Sequence, residues 1–482
     1  MNKLAIICIL FTAIGCKKTL QEDPRGQVVG SAALSTVDGL NAALTGAYKP
    51  LGNTWTTGFM TSSIIGVLMG SDDLTTHPAS NKASFREFDQ FNVDPLNGNL
   101  TDIWAGCYKS IQGANNIINN YKNTVGDAAS INQIVGEAYF LRAYDYFWLT
   151  RLWDSIPLIT SEVYSPAVLD VGKTGPAQVY ALIEQDLGRA DSLMANQRTD
   201  EGRASRGAAK AVLAEVYLTE GGWPINNSAK YAQAAEKAKE VIDNNTTYGF
   251  DLAPDLATLW TDLAAGTESI EEVFALHACG TCQWFTSNAV FGLSPMPSEE
   301  NGWDDYFTEL NFFYQFPVGV RKNVTFHTVM TEPNGDTITW QETAVKHPYY
   351  AKFRLAGGQA IWQTSATLPL LRYAQVLLTY AEAEARADNA PNAQAYTCIN
   401  AIRTRAGLAP FSGMNASDFV DSVVAERGWE FAGEYLRWFD IQRLQLLPQI
   451  NAARNPAENA VIGPVKYTFP IPGGDVLLNP NL

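Results

Sequence analysis

ERGWEFAGEYLRWFDIQRL, residues Glu426 to Leu444, sets four carboxylates, three arginines and two tryptophans within nineteen residues, a density that fits a catalytic centre, a ligand-binding face or a structural joint. Helical spacing favours the joint. Trp429, Phe431, Leu436, Phe439 and Ile441 offer apolar surface for packing. Gly433 marks a break between two helices, Ser417 to Gly433 and Tyr435 to Leu447. Glu426 and Glu430 are placed to pair with Arg427, and Asp440 with Arg437 and Arg443. The stretch is therefore expected to be partly buried, to fix register between helices and to touch no ligand.

Outward from this joint the chain reads as further helices, often in pairs. Apolar residues recur at helical spacing over Asn99 to Lys122, Ile131 to Leu152 and Pro176 to Ala195. Ser205 to Glu220 and Ala229 to Asp243 flank the breaker GGWPINN, and Leu370 to Ala387 and Asn392 to Ala406 flank ADNAPN. Ala211 and Ala214 before Tyr217, with Ala232 and Ala235 in the next helix, resemble the small-and-aromatic pattern of tetratricopeptide repeats. The expected fold is mainly α: tetratricopeptide-like pairs forming an α-α superhelical scaffold, with helices roughly over 99–244 and 369–448. Segments roughly over 51–98 and 245–368 are rich in Gly, Pro, Asn, Thr and aromatics, with short β-like runs such as Thr337 to Trp340. They read as a loop-rich irregular lobe with a few short strands, the usual place for function.

Composition narrows the function. Of 482 residues, 46% are hydrophobic, enough for a large core, and only 17% are charged. The surface is therefore finished with neutral polar groups, which suit neutral polar ligands. A net charge of −16 makes nucleic acid a poor partner. Residues 1–15, MNKLAIICILFTAIG, have the charged start and short apolar run of an export signal, and Ala13-Ile14-Gly15-Cys16 resembles a bacterial lipoprotein box. This implies cleavage before Cys16, acylation of Cys16 and a polar tether over 16–34, with 35–482 as the folded unit. No later run is long and apolar enough to cross a bilayer, so the lipid is the expected membrane attachment.

Cys107 and Cys398 fall in apolar helical patterns and read as buried thiols. Cys279 and Cys282, in CGTC, read as a local disulfide in an exported chain or as two free thiols. A zinc site lacks a second ligand pair. Four histidines, His77, His277, His327 and His347, form no metal motif, and no nucleophile elbow or phosphate loop occurs. The adjacent acids Asp72-Asp73, Glu271-Glu272, Glu299-Glu300 and Asp304-Asp305 do not supply the cross-cleft separation of a glycosidase. No enzyme, cofactor or metal is expected.

Sugar binding makes other demands: an aromatic face for the apolar side of the ring, and amide, acid, Arg or His groups for its hydroxyls. Of twelve tryptophans, Trp104, Trp148, Trp153, Trp429 and Trp438 fall in helical patterns and read as core, while Trp55, Trp284, Trp303, Trp340 and Trp362 fall in the loop-rich segments. Trp55 precedes GSDDLTTHPASN, which offers Asp72, Asp73, His77 and Asn81. Trp284 follows CGTC, and Trp303 lies in NGWDDY with Asp304 and Tyr306. Plain packing competes with each aromatic assignment, because Trp is largely buried wherever it occurs.

Six stretches together resemble the SusD/RagB-like family of outer-membrane lipoproteins that bind nutrients at the cell surface. They are CKKTLQEDPRG after the lipid cysteine, DIWAGCYKSIQGANN (Asp102 to Asn116), AYFLRAYDYFWLTRLW (Ala138 to Trp153), the pair LRYAQVLLTYAEAEAR and NAIRTRAGL, the joint quoted above, and the ending FPIPGGDVLLNPNL. The chain departs from the pattern at Ala13, where leucine is commoner, and at Lys17-Lys18, where surface-export signals often turn acidic at once. The resemblance implies four tetratricopeptide-like pairs and a SusC-like TonB-dependent β-barrel transporter as partner. It also implies a lid role over that barrel, surface display through the outer-membrane lipid anchor, and a glycan cargo contacted by the two loop regions named above. Peptide or other nutrient cargo, or a structural lid of little affinity, are the alternatives.

Overall fold

The computed structural model describes residues 33–52, 57–59, 63–161, 170–282, 293–352, 354, 364–454 and 465–482. Among them are eleven helices of eight or more residues: α1 Val37–Tyr48, α2 Gly98–Asn120, α3 Ala128–Trp153, α4 Pro176–Leu193, α5 Arg206–Gly221, α6 Lys230–Asp243, α7 Leu256–Ala265, α8 Tyr373–Ala387, α9 Ala393–Arg405, α10 Ala416–Glu430 and α11 Arg437–Leu444. Their starts follow local chemistry. Asn97, Asp127, Ser205, Asn392 and Asn415 each accept a hydrogen bond from a backbone N–H of the first turn, worth about 1 kcal/mol apiece. Pro176 opens α4, where its missing N–H costs nothing.

The helices form a continuous row in which α2 packs on α3, α3 on α4, α4 on α5 and α5 on α6. The row then skips the long segment between α6 and α8: α6 packs directly on α8, which packs on α9 and α10. The loop-rich lobe is thus an insertion between neighbouring helices of one scaffold. Small residues permit the close approaches. Ala211, Ala214, Ala234, Ala235 and Ala238 are buried, and a Cβ on Gly221 would lie 2.2 Å from the ring of Tyr231. Ala232 faces solvent; the packed stripe of α6 runs through Tyr231, Ala234, Ala235, Ala238 and Val241 instead.

From Gln133 to Trp153 every residue of α3 is buried, so this helix is the axis of the core. Two of its arginines find partners inside. Arg142 grips Asp186 of α4 at 2.7 and 2.8 Å, and Arg151 lies over the rings of Phe147 and Phe439 at 3.7 and 3.6 Å. Cys107 and Cys398 are free, buried thiols.

Five two-stranded sheets make up the described strands. In the largest, Glu272–Leu276 runs antiparallel to Leu368–Arg372. Leu370 to Arg372, read from sequence as the start of α8, are therefore strand, because their carbonyls and amides pair with the lobe. Thr337–Thr339 pairs with Val329–Thr331. Trp340, expected as a loop aromatic, is buried beside Phe307, Met330 and Tyr349 in a small second core.

The Glu426–Leu444 stretch is buried far more deeply than expected. Glu430 meets Arg405 at 2.7 Å, Arg321 at 3.1 Å and Arg372 at 3.2 Å. Glu434 takes Lys352 and Arg372, and Glu426 takes Arg321 and Arg403. Asp440 holds Arg427 and Arg443, and Arg443 also holds Glu382. Three expected pairings are absent: Glu426 and Glu430 pair with lobe and scaffold arginines in place of Arg427, and Arg437 reaches Asp72 in place of Asp440. The reason is topological. Lys352 and Arg321 belong to the lobe and Arg372, Arg403 and Arg405 to the scaffold, so the joint is where three parts of the chain neutralise one another's buried charge.

Candidate functional site

The two loop regions singled out in the sequence are brought side by side. Leu74–Thr75 pairs antiparallel with Phe307–Thr308, in the register Leu74 to Thr308 and Thr75 to Phe307. Past the strand, the Thr76 hydroxyl donates to the Asp305 carbonyl at 2.8 Å, and Lys82 makes a buried ion pair with Asp305. Segments 71–82 and 303–308 thus form one unit.

The first wall is a turn closed by its own side chains. Arg86 of the helix Ala83–Asp89 donates to the carbonyls of His77 and Ala79. The Ala79 N–H donates to His77 Nδ1 at 2.9 Å, which leaves Nε2 as the ring's donor. His77 is half-buried, and Asn81 is exposed on the 3-10 turn Ser80–Lys82.

The second wall is a backbone knot. The N–H groups of Trp303, Asp304 and Asp305 donate to the carbonyls of Leu293, Met296 and Ser294. Asp304 holds φ at 51°, in the left-handed region that Asp tolerates, and its carboxylate accepts from the Ser298 N–H and the Tyr349 hydroxyl. Trp303 is left half-buried at the surface.

Other candidates are supports. Tyr306 is fully buried, its hydroxyl 3.0 Å from that of Tyr435, and burial raises its phenol far above the ordinary range. Asp73 is buried too, accepting from the Gly433 N–H at 2.9 Å and the Ser71 hydroxyl at 2.5 Å. Burial, aided by the charge of Asp72, raises the Asp73 carboxyl to about 6. Asp72 receives both prongs of the Arg437 fork, at 2.7 and 2.8 Å, and stays part-exposed. The side chains of Asp73 and Tyr306 consequently do not reach the surface as ligand contacts. Trp55, Trp284 and Cys16 lie outside the described residues, as does Trp362.

Cys279 and Cys282 are joined by a disulfide, and the Gly280 N–H donates to the Ser365 hydroxyl at 3.0 Å. Sequence reasoning missed the group around Glu300, which binds His327 at 3.0 Å, the Thr331 N–H at 2.9 Å and Arg354. Burial opposes its ionisation, but His327 and Arg354 hold its carboxyl down at about 2. No local pattern announces this contact, since its members come from three separate stretches of the chain.

Each of the four adjacent acid pairs singled out in the sequence is engaged by partners among the described residues. Glu271 takes Arg372 and Arg405, Glu272 takes His277 and the Ser269 N–H, and Glu299 accepts from the Ala344 N–H. Among the described residues no group of three or more His, Cys, Asp or Glu side chains is arranged to hold a metal, and no helix is long and apolar enough to cross a membrane. A cavity of about 590 Å³ lies away from the loops, between α1, the start of α3 and residues 193–206, with Asp38, Asn41, Gln133, Glu137 and Arg203 in its wall. It has no aromatic lining.

The structure is a helical-repeat scaffold carrying a polar and aromatic loop-rich lobe, in which the four adjacent acid pairs singled out above are engaged in internal contacts. Comparison with known proteins agrees. Residues 301–482 match the SusD family, and residues 40–218 match a family described as starch-binding, associating with the outer membrane. SusD-like protein P2 of Formosa agariphila is 28% identical over 100% of this chain and 98% of its own length. A SusD superfamily protein of Parabacteroides distasonis superposes with a TM-score of 0.79 at 25% identity, covering 92% of this chain and 98% of the other. A laminarin-binding SusD-like protein superposes with a TM-score of 0.76 at 23% identity, covering 91% and 97%. The chain belongs to the SusD/RagB-like family.

Proposed function

We propose that this chain binds an oligosaccharide or polysaccharide at the cell surface and delivers it to a SusC-like TonB-dependent transporter, over which it acts as a lid, with Cys16 acylated as its outer-membrane anchor. The observation that carries the sugar-binding reading is the pairing of Leu74–Thr75 with Phe307–Thr308, which sets His77, Asn81 and Trp303 on one strand-linked unit. An indole face, an imidazole donor and a primary amide together meet the needs of a sugar ring and its hydroxyls. The laminarin-binding neighbour supports the same cargo class. Trp55 and Trp284 are proposed as further stacking platforms. No catalytic step is proposed, because the adjacent acids serve as partners for arginines, lysines, histidines, hydroxyls and backbone N–H groups.

The test is calorimetric titration of residues 17–482 with laminari-, xylogluco- and malto-oligosaccharides. Binding to at least one is expected. Alanine at Trp303, Trp55 or Trp284 should each cost at least about 1 kcal/mol for a stacking contact. Silence toward every sugar, with tryptophan fluorescence unmoved, counts against sugar cargo and favours a peptide ligand or a lid of little affinity.

A further inference from the structure

We propose that Arg437 and Asp72 form a latch by which the α10–α11 joint sets the affinity of the loop face, acting as positioning residues and not as ligand contacts. The proposal deepens the reading above and rests on it.

The segment 71–82 touches the joint through two neighbouring acids. Asp73 is held by the Gly433 N–H, at the turn between α10 and α11. Asp72 is held by Arg437, the first residue of α11, through two N–H···O bonds of 2.7 and 2.8 Å. A two-pronged fork fixes orientation as well as distance, which a single point charge does not. The Arg437 side chain is 12% exposed and that of Asp72 23% exposed. The pair therefore closes the edge of the joint, partly screened from water but not in the deep core.

From Asp72 the chain leads into both walls of the face. Asp73, the Leu74–Thr75 strand and Thr76 run directly to His77. The same strand is paired to Phe307–Thr308, close to the turn that presents Trp303. Tyr350, from a further strand, donates its hydroxyl to the Asp73 carbonyl at 2.5 Å. A displacement at Asp72 is thus passed to His77 along the chain and toward Trp303 across the ladder. Ring stacking and hydroxyl recognition need both walls held in place before the sugar arrives, and loss of that order is recovered from binding energy.

The test combines hydrogen exchange with titration for the chain 17–482 and the variants Asp72→Asn, Arg437→Lys, Arg437→Gln and Asp72→Asn/Arg437→Gln. In the ligand-free protein, exchange across residues 71–82 should rise about tenfold in Asp72→Asn and Arg437→Gln, and no further in the double variant, as for two halves of one contact. Exchange in α4, α5 and α6 should stay put. Affinity for the tightest-binding oligosaccharide of the panel should fall by about the same factor, with Arg437→Lys between wild type and Arg437→Gln. Unchanged exchange in 71–82, losses that multiply in the double variant, or exchange raised equally across the scaffold would each overturn the latch. Failure of the wild-type chain to bind any sugar sinks the proposed cargo instead, while the ligand-free exchange still decides the latch.

Discussion

Asp73 and Glu430 show how one residue type, a buried carboxylate, takes opposite proton affinities within one joint. Burial raises both. Around Asp73 burial, joined by the charge of Asp72, outweighs two neutral donors and Arg437, and the carboxyl ends near 6. Around Glu430 burial is outweighed by Arg405, Arg372, Arg321 and Lys352, and the carboxyl ends near 2. The signs of their pH effects differ accordingly. A raised acid contributes stability that is complete below its unfolded value and is lost as pH rises through about 6. A depressed acid contributes stability present above about 4.5 and lost as pH falls toward about 2. Asp73→Asn keeps an acceptor for the Gly433 N–H and removes the titration. Denaturant unfolding of both proteins should show wild type gaining on Asp73→Asn, by on the order of 1–3 kcal/mol, as pH drops from 7 to 4.5. A difference that does not vary with pH would remove Asp73 from this account. His77 and Trp303, chosen because their types match sugar chemistry, stay partly exposed. Tyr306 and Asp73 match it equally well and are buried, which residue type alone does not reveal.

At the scale of elements, the break at Gly433 was legible because a charged helical pattern is interrupted by a glycine. Its conformation supports the reading: φ is 73°, and an added Cβ would lie 2.6 Å from the Tyr350 ring. Gly433→Ala should lower unfolding stability by about 2 kcal/mol or more, read from chemical denaturation. Helix spans were readable from their period to within about three residues; α3, for instance, starts at Ala128 where Ile131 was expected and runs one residue beyond the expected Leu152. The pairing of the joint was not. Helical spacing proposes partners within four residues, whereas Arg372, Arg405 and Lys352 arrive from a strand, a helix and a turn farther away along the chain. Burial made those distant partners necessary, since a carboxylate in the core must be neutralised by whichever cation the fold brings. Arg372→Met would strand Glu434 and Glu430 beside fewer cations and should cost about 3–5 kcal/mol in the same assay. Near-neutral behaviour would mean that the network is replaceable.

For the molecule as a whole, the helical row and the inserted lobe answer different needs. The row gives a rigid frame through alanine-lined contacts, and the lobe supplies the irregular backbone on which a polar ligand can be met. The joint ties the two together, so it should also govern acid sensitivity. Glu430, Glu382 and Asp440 are each held down by arginines against the upward pull of burial. Acid unfolding should therefore set in below about pH 4.5, followed by near-UV circular dichroism, and should move to higher pH in Arg372→Met. The sequence stretch that looked most like an active site is the structural joint, and it meets the proposed binding face through Asp72, Asp73 and the contact between the Tyr435 and Tyr306 hydroxyls. The most direct measurement of the central claim is a crystal structure with a laminari-, xylogluco- or malto-oligosaccharide bound. A sugar ring against Trp303, with hydroxyls in reach of His77 Nε2 and Asn81, is the predicted result; a ring bound elsewhere, such as the cavity between α1 and α3, would contradict it.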